Sequence, residues 1–221
     1  MHTTIVTIDG PSGGGKSTVS QMLATSLGYT YLDTGAMYRA VAIKIVRSGI
    51  DENDEEALSR LLADIDLRLT TDATGTRVYI DDDDVSEAIR TAEMGMVASR
   101  VSAIPAVRST LTALQQEMGK RGSIVAEGRD MGTVVFPHAP HKFYLDASPE
   151  ERARRRHLQL QEKGERSDYQ ELLQQIIKRD NDDSSRALAP LKPADDAIII
   201  DSSTMDAEAV VNYMLERINA S

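Results

Sequence analysis

Over its first fifty residues the chain alternates short apolar runs with amphipathic stretches. Thr4 to Asp9 (TIVTID) is rich in β-branched residues and stops at Gly10, which predicts a short buried strand. Helical spacing then takes over. Val19, Met22, Leu23 and Leu27 recur within Lys16 to Leu27, and Gly28 ends the run. Tyr29 to Asp33 predicts a second strand, and Met37, Val41 and Ile45 a second helix that Gly49 closes. Strand, glycine loop, helix, strand is how a parallel α/β sheet begins.

The middle of the chain has a different rhythm. Glu55 to Ile65 predicts a short acidic helix. Asp66 to Thr71 and Thr76 to Asp81 alternate apolar and polar residues around turn material at Asp72 to Gly75. That is an antiparallel hairpin, out of character with a parallel core, so it marks an inserted subdomain over about 51–102. Asp81 to Asp84 reads as solvated turn charge in preference to a metal site. The core pattern resumes at Pro105, well placed to start a helix running to about Arg121. Ser123 to Glu127 and His141 to Asp146 predict strands. Ser148 before Pro149, Glu150 and Glu151 caps a helix to about Glu162. After a break at Gly164 to Ser167 come a helix from Tyr169 to Ser185, a strand at Ala197 to Asp201 and a closing helix from Ala207 to Ile218. The reading is one α/β domain, with core segments 1–50, 103–149 and 168–221.

Charge narrows the partners. A net charge of −10 over 221 residues repels phosphate backbones, so nucleic acid is not an expected partner. Any anionic small molecule must then be gathered by local arginines. The absence of cysteine excludes disulfides, thiolate zinc sites and cysteine nucleophiles. Neither a secretory leader nor a membrane-length apolar run is apparent, which leads to the expectation of a soluble, cytoplasmic protein.

The strongest chemical signal is Gly10-Pro11-Ser12-Gly13-Gly14-Gly15-Lys16-Ser17, followed by Thr18. It satisfies the G-x-x-x-x-G-K-[ST] pattern between a predicted strand and a predicted helix. Glycines let backbone N–H groups turn inward at the positive end of a helix, forming an anion nest. Lys16, expected as an exposed loop lysine, reaches the β- and γ-phosphates, and the Ser17 hydroxyl can ligate Mg²⁺. The pattern speaks for nucleoside triphosphate binding and is silent on its use. No N-K-x-D for guanine is present, and the one D-x-x-G, Asp72 to Gly75, falls in the hairpin turn. A motor ATPase would end a core strand in Asp, where this chain has Glu127.

A kinase acting on a phosphorylated acceptor must neutralise two anions in one site, and that takes arginines. They are supplied by the second half: Arg152, Arg154, Arg155 and Arg156 on one helix, Arg129 just after a core strand, and Arg179, Asp183 and Arg186 along one helical face. Taken alone, the Arg152–Arg156 run has the alternative of a solvated helix face paired with Glu150 and Glu151, and Arg179, Asp183 and Arg186 that of a surface ion-pair ladder.

The stretches GPSGGGKST, LDTGAMYR, EAIRTAEMGMVAS, AVRS, VAEGRDMGTVVFP and RDNDDSSRALAPL together resemble bacterial cytidylate kinases, in order and over nearly the whole chain. EGRDMGTVVFP and DTGAMYR are far more specific than the phosphate loop. The resemblance implies a P-loop nucleoside monophosphate kinase fold: a parallel five-stranded core, an NMP-binding insertion matching the hairpin region, and a mobile lid over about 150–167. It implies ATP and CMP or dCMP as substrates, with Mg²⁺. It also assigns Arg39 and Arg129 to the CMP phosphate, and Thr34 (often serine in the family) and Tyr38 to that pocket's lining. Ser99, Arg108 and Asp130 match cytosine-reading positions, Arg179 and Asp183 positions near the ribose, and Arg186 a further phosphate contact. Arg152, Arg155 and Arg156 would steady the triphosphate as the lid closes. The expected assembly is a monomer. Base chemistry agrees, since a carboxylate at Asp130 can accept from the 4-amino group of cytosine and Arg108 can donate to N3 or O2. Uracil inverts that pattern. Another small kinase of this fold, for adenylate, uridylate or shikimate, stays open at this point, as does a non-catalytic nucleotide-binding regulator.

Overall fold

A computed structural model of the chain describes residues 3–72 and 75–220. Five parallel strands form the main sheet: β1 (Ile5–Asp9), β2 (Thr30–Asp33), β6 (Ile124–Gly128), β7 (His141–Asp146) and β8 (Ile198–Asp201), in the order β2-β6-β1-β7-β8. Alternation along these strands sends side chains to two separate layers. Val6, Ile8, Val125, Phe143 and Leu145 pack with residues of α1 (Lys16–Leu27) and α8 (Ala207–Asn219). Leu32, Ile124 and Ala126 pack with α2 (Thr34–Ser48) and α5 (Pro105–Lys120) on the other face. Burial on both faces is why the core strands read as continuous apolar runs.

The register lines up the strands' carboxyl ends. Asp9 stands opposite Gly128 and Tyr144, and Asp33 opposite Glu127. The phosphate loop, the Gly128–Asp130 turn and the start of α2 therefore leave the sheet side by side, in the crevice where open α/β sheets hold ligands.

The insertion carries its own three-stranded antiparallel sheet, β3 (Leu67–Asp72), β4 (Gly75–Ile80) and β5 (Asp83–Asp84), beside α3 (Glu55–Ala63). Residues 73 and 74 of the expected hairpin turn lie outside the described residues. Asp83 and Asp84, read from the sequence as turn charge, form a short edge strand and stay exposed, while Asp81 pairs with Lys44 at 2.7 Å. Besides β5, three elements were not foreseen: a 3₁₀ turn at Ala88–Arg90, a π-helical turn at Met131–Val135, and α4 (Ala92–Val101), which Thr91 caps by accepting from the Met94 N–H at 3.1 Å. Apolar residues of the insertion, among them Leu58, Val78 and Val97, join the core layer on α2. Two further helices, α6 (Pro149–Glu162) and α7 (Tyr169–Ser184), lie between β7 and β8 in the chain. Ser148 caps α6 as predicted, accepting from Glu151 N at 3.2 Å. Among the described residues, no helix is long and apolar enough to cross a membrane.

Candidate active site

The phosphate loop is shaped by what its glycines permit. Gly10 has φ +146°, and a Cβ there would run into the Leu145 carbonyl of the neighbouring strand. Gly15 has φ +85° and caps α1 without a side chain, leaving the first-turn N–H groups facing outward to receive an anion. Lys16 differs from expectation. It is buried, and its Nζ donates to the Pro11 carbonyl at 2.7 Å, closing the loop on itself. Burial, reinforced by Arg129, pushes the ammonium down to about 7, against the opposing pull of Glu127 and Asp9. The loop's curl brings its own carbonyl within reach of the stem, so the lysine need not extend into solvent.

Behind the loop stand carboxylates that close the core strands. Glu127 accepts from the Tyr31 hydroxyl, and burial, then Asp33, pushes its carboxyl up while Lys16, Tyr31 and the Ser17 hydroxyl oppose. Ser17 itself is exposed at the start of α1. A hydroxyl backed by a carboxylate is a hard-oxygen set, which suits a cation such as Mg²⁺ and not a soft metal. Asp9 accepts from the Met131 and Gly132 N–H groups, both at 2.8 Å, and burial pushes its carboxyl up to about 6. Asp9 thereby pins the turn that displays Arg129 and Asp130. Gly128 is needed at the base of this turn, since a Cβ would fall 2.8 Å from Met131 and 2.9 Å from Thr34 Oγ1.

The predicted acceptor-site residues reach this turn directly or through one another. Asp33 caps α2 by accepting from Ala36 N at 2.7 Å and reaches Arg39 at 3.4 Å. Thr34 donates to the Glu127 carbonyl at 2.6 Å. Arg108 and Asp130 form a buried pair at 2.6 Å, with Arg108 Nε donating to the Ser102 carbonyl at 3.1 Å and its guanidinium lying 5.7 Å from the Tyr38 ring centre. Burial pushes the Asp130 carboxyl up, opposed by Arg108, Arg186 and Arg129. Ser99 Oγ accepts from Arg186 at 3.2 Å. Arg186 also pairs with Asp183, which accepts from Arg129 Nε at 3.1 Å and is 1% exposed.

Around Asp183 positive charge is in excess. Arg179 feels Arg129, Arg39 and Arg186, and burial with Arg129 pushes its guanidinium down to about 10. Its Nε is buried without a hydrogen-bond partner. Asp183 and the partly exposed Asp33 are the carboxylates that ion-pair with this group, while Asp130, which also feels Arg129 and Arg186, is paired with a further guanidinium, Arg108. A cluster of this kind calls for an anion.

A sequence profile of the cytidylate kinase family matches residues 6–220. The chain belongs to the cytidylate kinase family. A "Cytidylate kinase" of Pelotomaculum thermopropionicum is 49% identical over 216 residues, covering 97% of this chain and 96% of that one. Another, from Pseudomonas aeruginosa strain PAO1, is 49% identical over 213 residues, covering 96% and 93%. Among solved structures, a shikimate kinase from Bacteroides thetaiotaomicron superposes with a TM-score of 0.51 at 12% identity, covering 98% of each chain. An uncharacterised protein from Eubacterium ventriosum reaches 0.54 at 11% identity, covering 100% of each. These two share the fold, the P-loop α/β architecture expected from the sequence.

The arginines of α6 fall into three situations that their crowding did not reveal. Arg152 is no free cation. It is 2% exposed, donating from Nε to the Ala147 carbonyl at 2.9 Å and from Nη1 to the Ser12 carbonyl at 3.0 Å. It also forks onto Asp180 at 3.1 and 2.5 Å. Its N–H groups are committed to protein acceptors because α6 leaves the sheet directly beneath the loop. Arg155 is shared between Glu151 at 2.8 Å and the Ser202 carbonyl at 2.5 Å, at the edge of Gly15. Arg156 is exposed and, among the described residues, has no ion-pair partner. Arg154 pairs with Glu151, whose carboxyl Arg154 and then Arg155 hold near 2. Sequence reasoning passed over Asp9, Tyr31, Glu127 as a site residue, Asp180 and Ser202. Two of these carried a signal, because Asp9 and Glu127 are charged residues at the end of apolar strands.

Proposed function

We propose that the chain transfers the γ-phosphoryl group of ATP to CMP, and to dCMP, giving ADP and CDP or dCDP. The observation that carries this reading is the cluster of Arg39, Arg129, Arg179 and Arg186 around buried Asp183, beside a P-loop. One anion occupies the loop and a second the arginine cluster, which is the requirement for phosphorylating a phosphate.

An oxygen of the CMP phosphate attacks the γ-phosphorus in line, forming the new P–O bond as the bond to the β-bridging oxygen breaks and ADP departs. The attacking phosphate is already ionised, so no general base and no covalent enzyme intermediate are required. Lys16 leaves the Pro11 carbonyl for the β- and γ-phosphates, and Arg129 and Arg39 hold the acceptor phosphate. All three spread charge where it develops. Mg²⁺, when bound, neutralises the triphosphate, and Ser17 would hold it with Glu127 behind. Asp130 accepts from the 4-amino group of cytosine, while Arg108, steadied by Ser102 and Tyr38, donates to N3 or O2. Ser99, Arg179 and Asp183 complete the nucleoside contacts and Arg186 a phosphate contact. Residues 51–102 serve as the monophosphate-binding insertion and about 150–167 as a lid that brings Arg155 and Arg156 onto the triphosphate. We place the enzyme in the cytoplasm as a monomer.

A coupled assay of ADP release with CMP, dCMP, UMP, AMP and shikimate tests the proposal. CMP and dCMP should be turned over far faster than the rest. Release driven best by another acceptor refutes the substrate assignment, and none with any acceptor favours a regulator.

A further inference from the structure

The donor loop and the acceptor helix meet at one side chain. Arg152 projects from the first turns of α6 and joins three segments through its guanidinium. The Ser12 carbonyl belongs to the phosphate loop, the Ala147 carbonyl to the exit of β7, and the Asp180 carboxylate to α7. Gly13 rests on the same residue, with space for a Cβ ending 3.3 Å from Arg152 Cβ. Asp180 is flanked on α7 by Arg179 and, one turn on, Asp183, the centre of the arginine cluster. Consecutive residues of one helix thus serve both anion sites: Arg179 faces the acceptor side and Asp180 reaches the donor loop through Arg152.

The fork geometry makes this link directional. Nη1 and Nη2 each meet a separate Asp180 oxygen, which fixes the plane of the guanidinium and hence the position from which Nη1 reaches Ser12. The arginine side chain is only 3% exposed and its partner 21%, so water cannot readily substitute for the carboxylate. Without Asp180, the guanidinium keeps its charge and its two backbone acceptors but loses the carboxylate that holds both Nη atoms in place.

We propose that Asp180 is a positioning residue which, by aligning Arg152 on the Ser12 carbonyl, couples monophosphate binding at α7 to the conformation of the phosphate loop. The inference rests on the two-nucleotide reading of the site. Asp180 is assigned to neither nucleotide and its carboxylate is occupied by Arg152, so its removal should leave each separate affinity nearly intact and abolish the influence of one on the other.

The test is the reciprocal coupling factor: the ratio of the Kd for Mg²⁺ and AMPPNP without and with saturating monophosphate, by calorimetry. Wild type should show a factor of about 5 or more, the lower end of ordinary allosteric coupling. Asp180→Asn should fall to about 2 or less, with each single-ligand Kd within about threefold of wild type, and Asp180→Glu should recover part of the factor. A merely structural strap would lower the melting temperature or weaken both ligands while leaving the ratio unchanged, and that result overturns the proposal. So does a wild-type ratio near 1. Should Asp180→Asn fail to fold, Arg152→Lys, which keeps the charge without the fork, is expected to show the same loss of coupling. The monophosphate used is whichever one wild type phosphorylates, so failure of CMP as acceptor removes the substrate assignment and leaves this test standing.

Discussion

Replacing Asp130 with Asn separates what the residue does for the fold from what it does for the base. The wild-type carboxylate is 2% exposed and paired with Arg108 at 2.6 Å. Taking one charge from a buried pair costs about 3–5 kcal/mol, because the guanidinium is left without its counter-ion. For a chain of this length each kcal/mol moves the melting temperature by about 2–4 °C, so the variant should melt roughly 6–20 °C lower. The catalytic effect lies on top of this. Asn presents a donor as well as an acceptor, so the 4-amino group of cytosine loses its ionised partner, while the O4 carbonyl of uracil gains a donor. At 1.36 kcal/mol per decade, loss of a charge-assisted contact worth about 2.7 kcal/mol lowers kcat/KM for CMP by about 10². UMP should fall much less, or rise. The assay is ADP release with both monophosphates, well below the variant's melting temperature and side by side with Arg39→Ala, which should injure both equally. If Asp130→Asn lowers CMP and UMP by the same factor, Asp130 is a scaffold of its turn and the base is read elsewhere.

Other outcomes follow from the same geometry. Lys16, held near 7 by burial, must be fully protonated once it meets phosphate, so Mg²⁺-ATP binding at pH 8 should take up roughly half a proton or more by linkage. Calorimetry in buffers of different ionisation enthalpy reads this directly, and uptake below about 0.2 proton contradicts the assignment. Lys16→Met should abolish turnover without loss of stability, since it removes a buried charge; retention of half the wild-type kcat would sink its role. Asp9 is raised from the ordinary 3.8 to about 6, so the folded chain holds this proton more tightly than the unfolded chain. Its stabilising contribution is full below pH 3.8 and is lost as pH rises through about 6, at most about 3 kcal/mol in all. The unfolding free energy of wild type minus that of Asp9→Asn should therefore fall between pH 4 and 6, and a flat difference would mean that burial does not set this carboxyl. Hydrogen exchange of amides between about 156 and 167 should slow when a CMP–ATP bisubstrate analogue binds, and unchanged exchange would leave Arg156 an ordinary surface residue.

The central strands β1 and β6 were legible because they are buried on both faces, and the loop because no common alternative explains those glycines between strand and helix; edge strand β8, with Ile199 62% exposed, was legible only as a short apolar run. α4 was not legible: its apolar residues Met94, Val97, Ala98 and Val101 are interrupted by Gly95, and the packing that fixes them comes from α2 in a distant part of the chain. The acceptor-site residues could be named from motifs, but their mutual pairing could not. Nothing in the sequence says that Arg108 answers Asp130, 22 residues away, or that Asp183 also serves Arg129, 54 residues away. Arg152, Arg155 and Arg156 look equivalent in the run ERARRR. Which of them is buried depends on the helix face turned to the P-loop, and a helical period gives faces without saying what each one meets. Lys16 was misjudged for a similar reason, since its burial depends on a loop closing onto its own carbonyl.

The most direct test of the account follows the labelled phosphoryl group itself. With γ-labelled ATP, Mg²⁺ and equimolar CMP and UMP, label should appear as CDP at least about 10²-fold faster than as UDP, with little released as inorganic phosphate. Equal labelling of the two diphosphates, or label released chiefly as phosphate, would contradict the claim that these arginines and the Arg108–Asp130 pair form a cytidylate acceptor site.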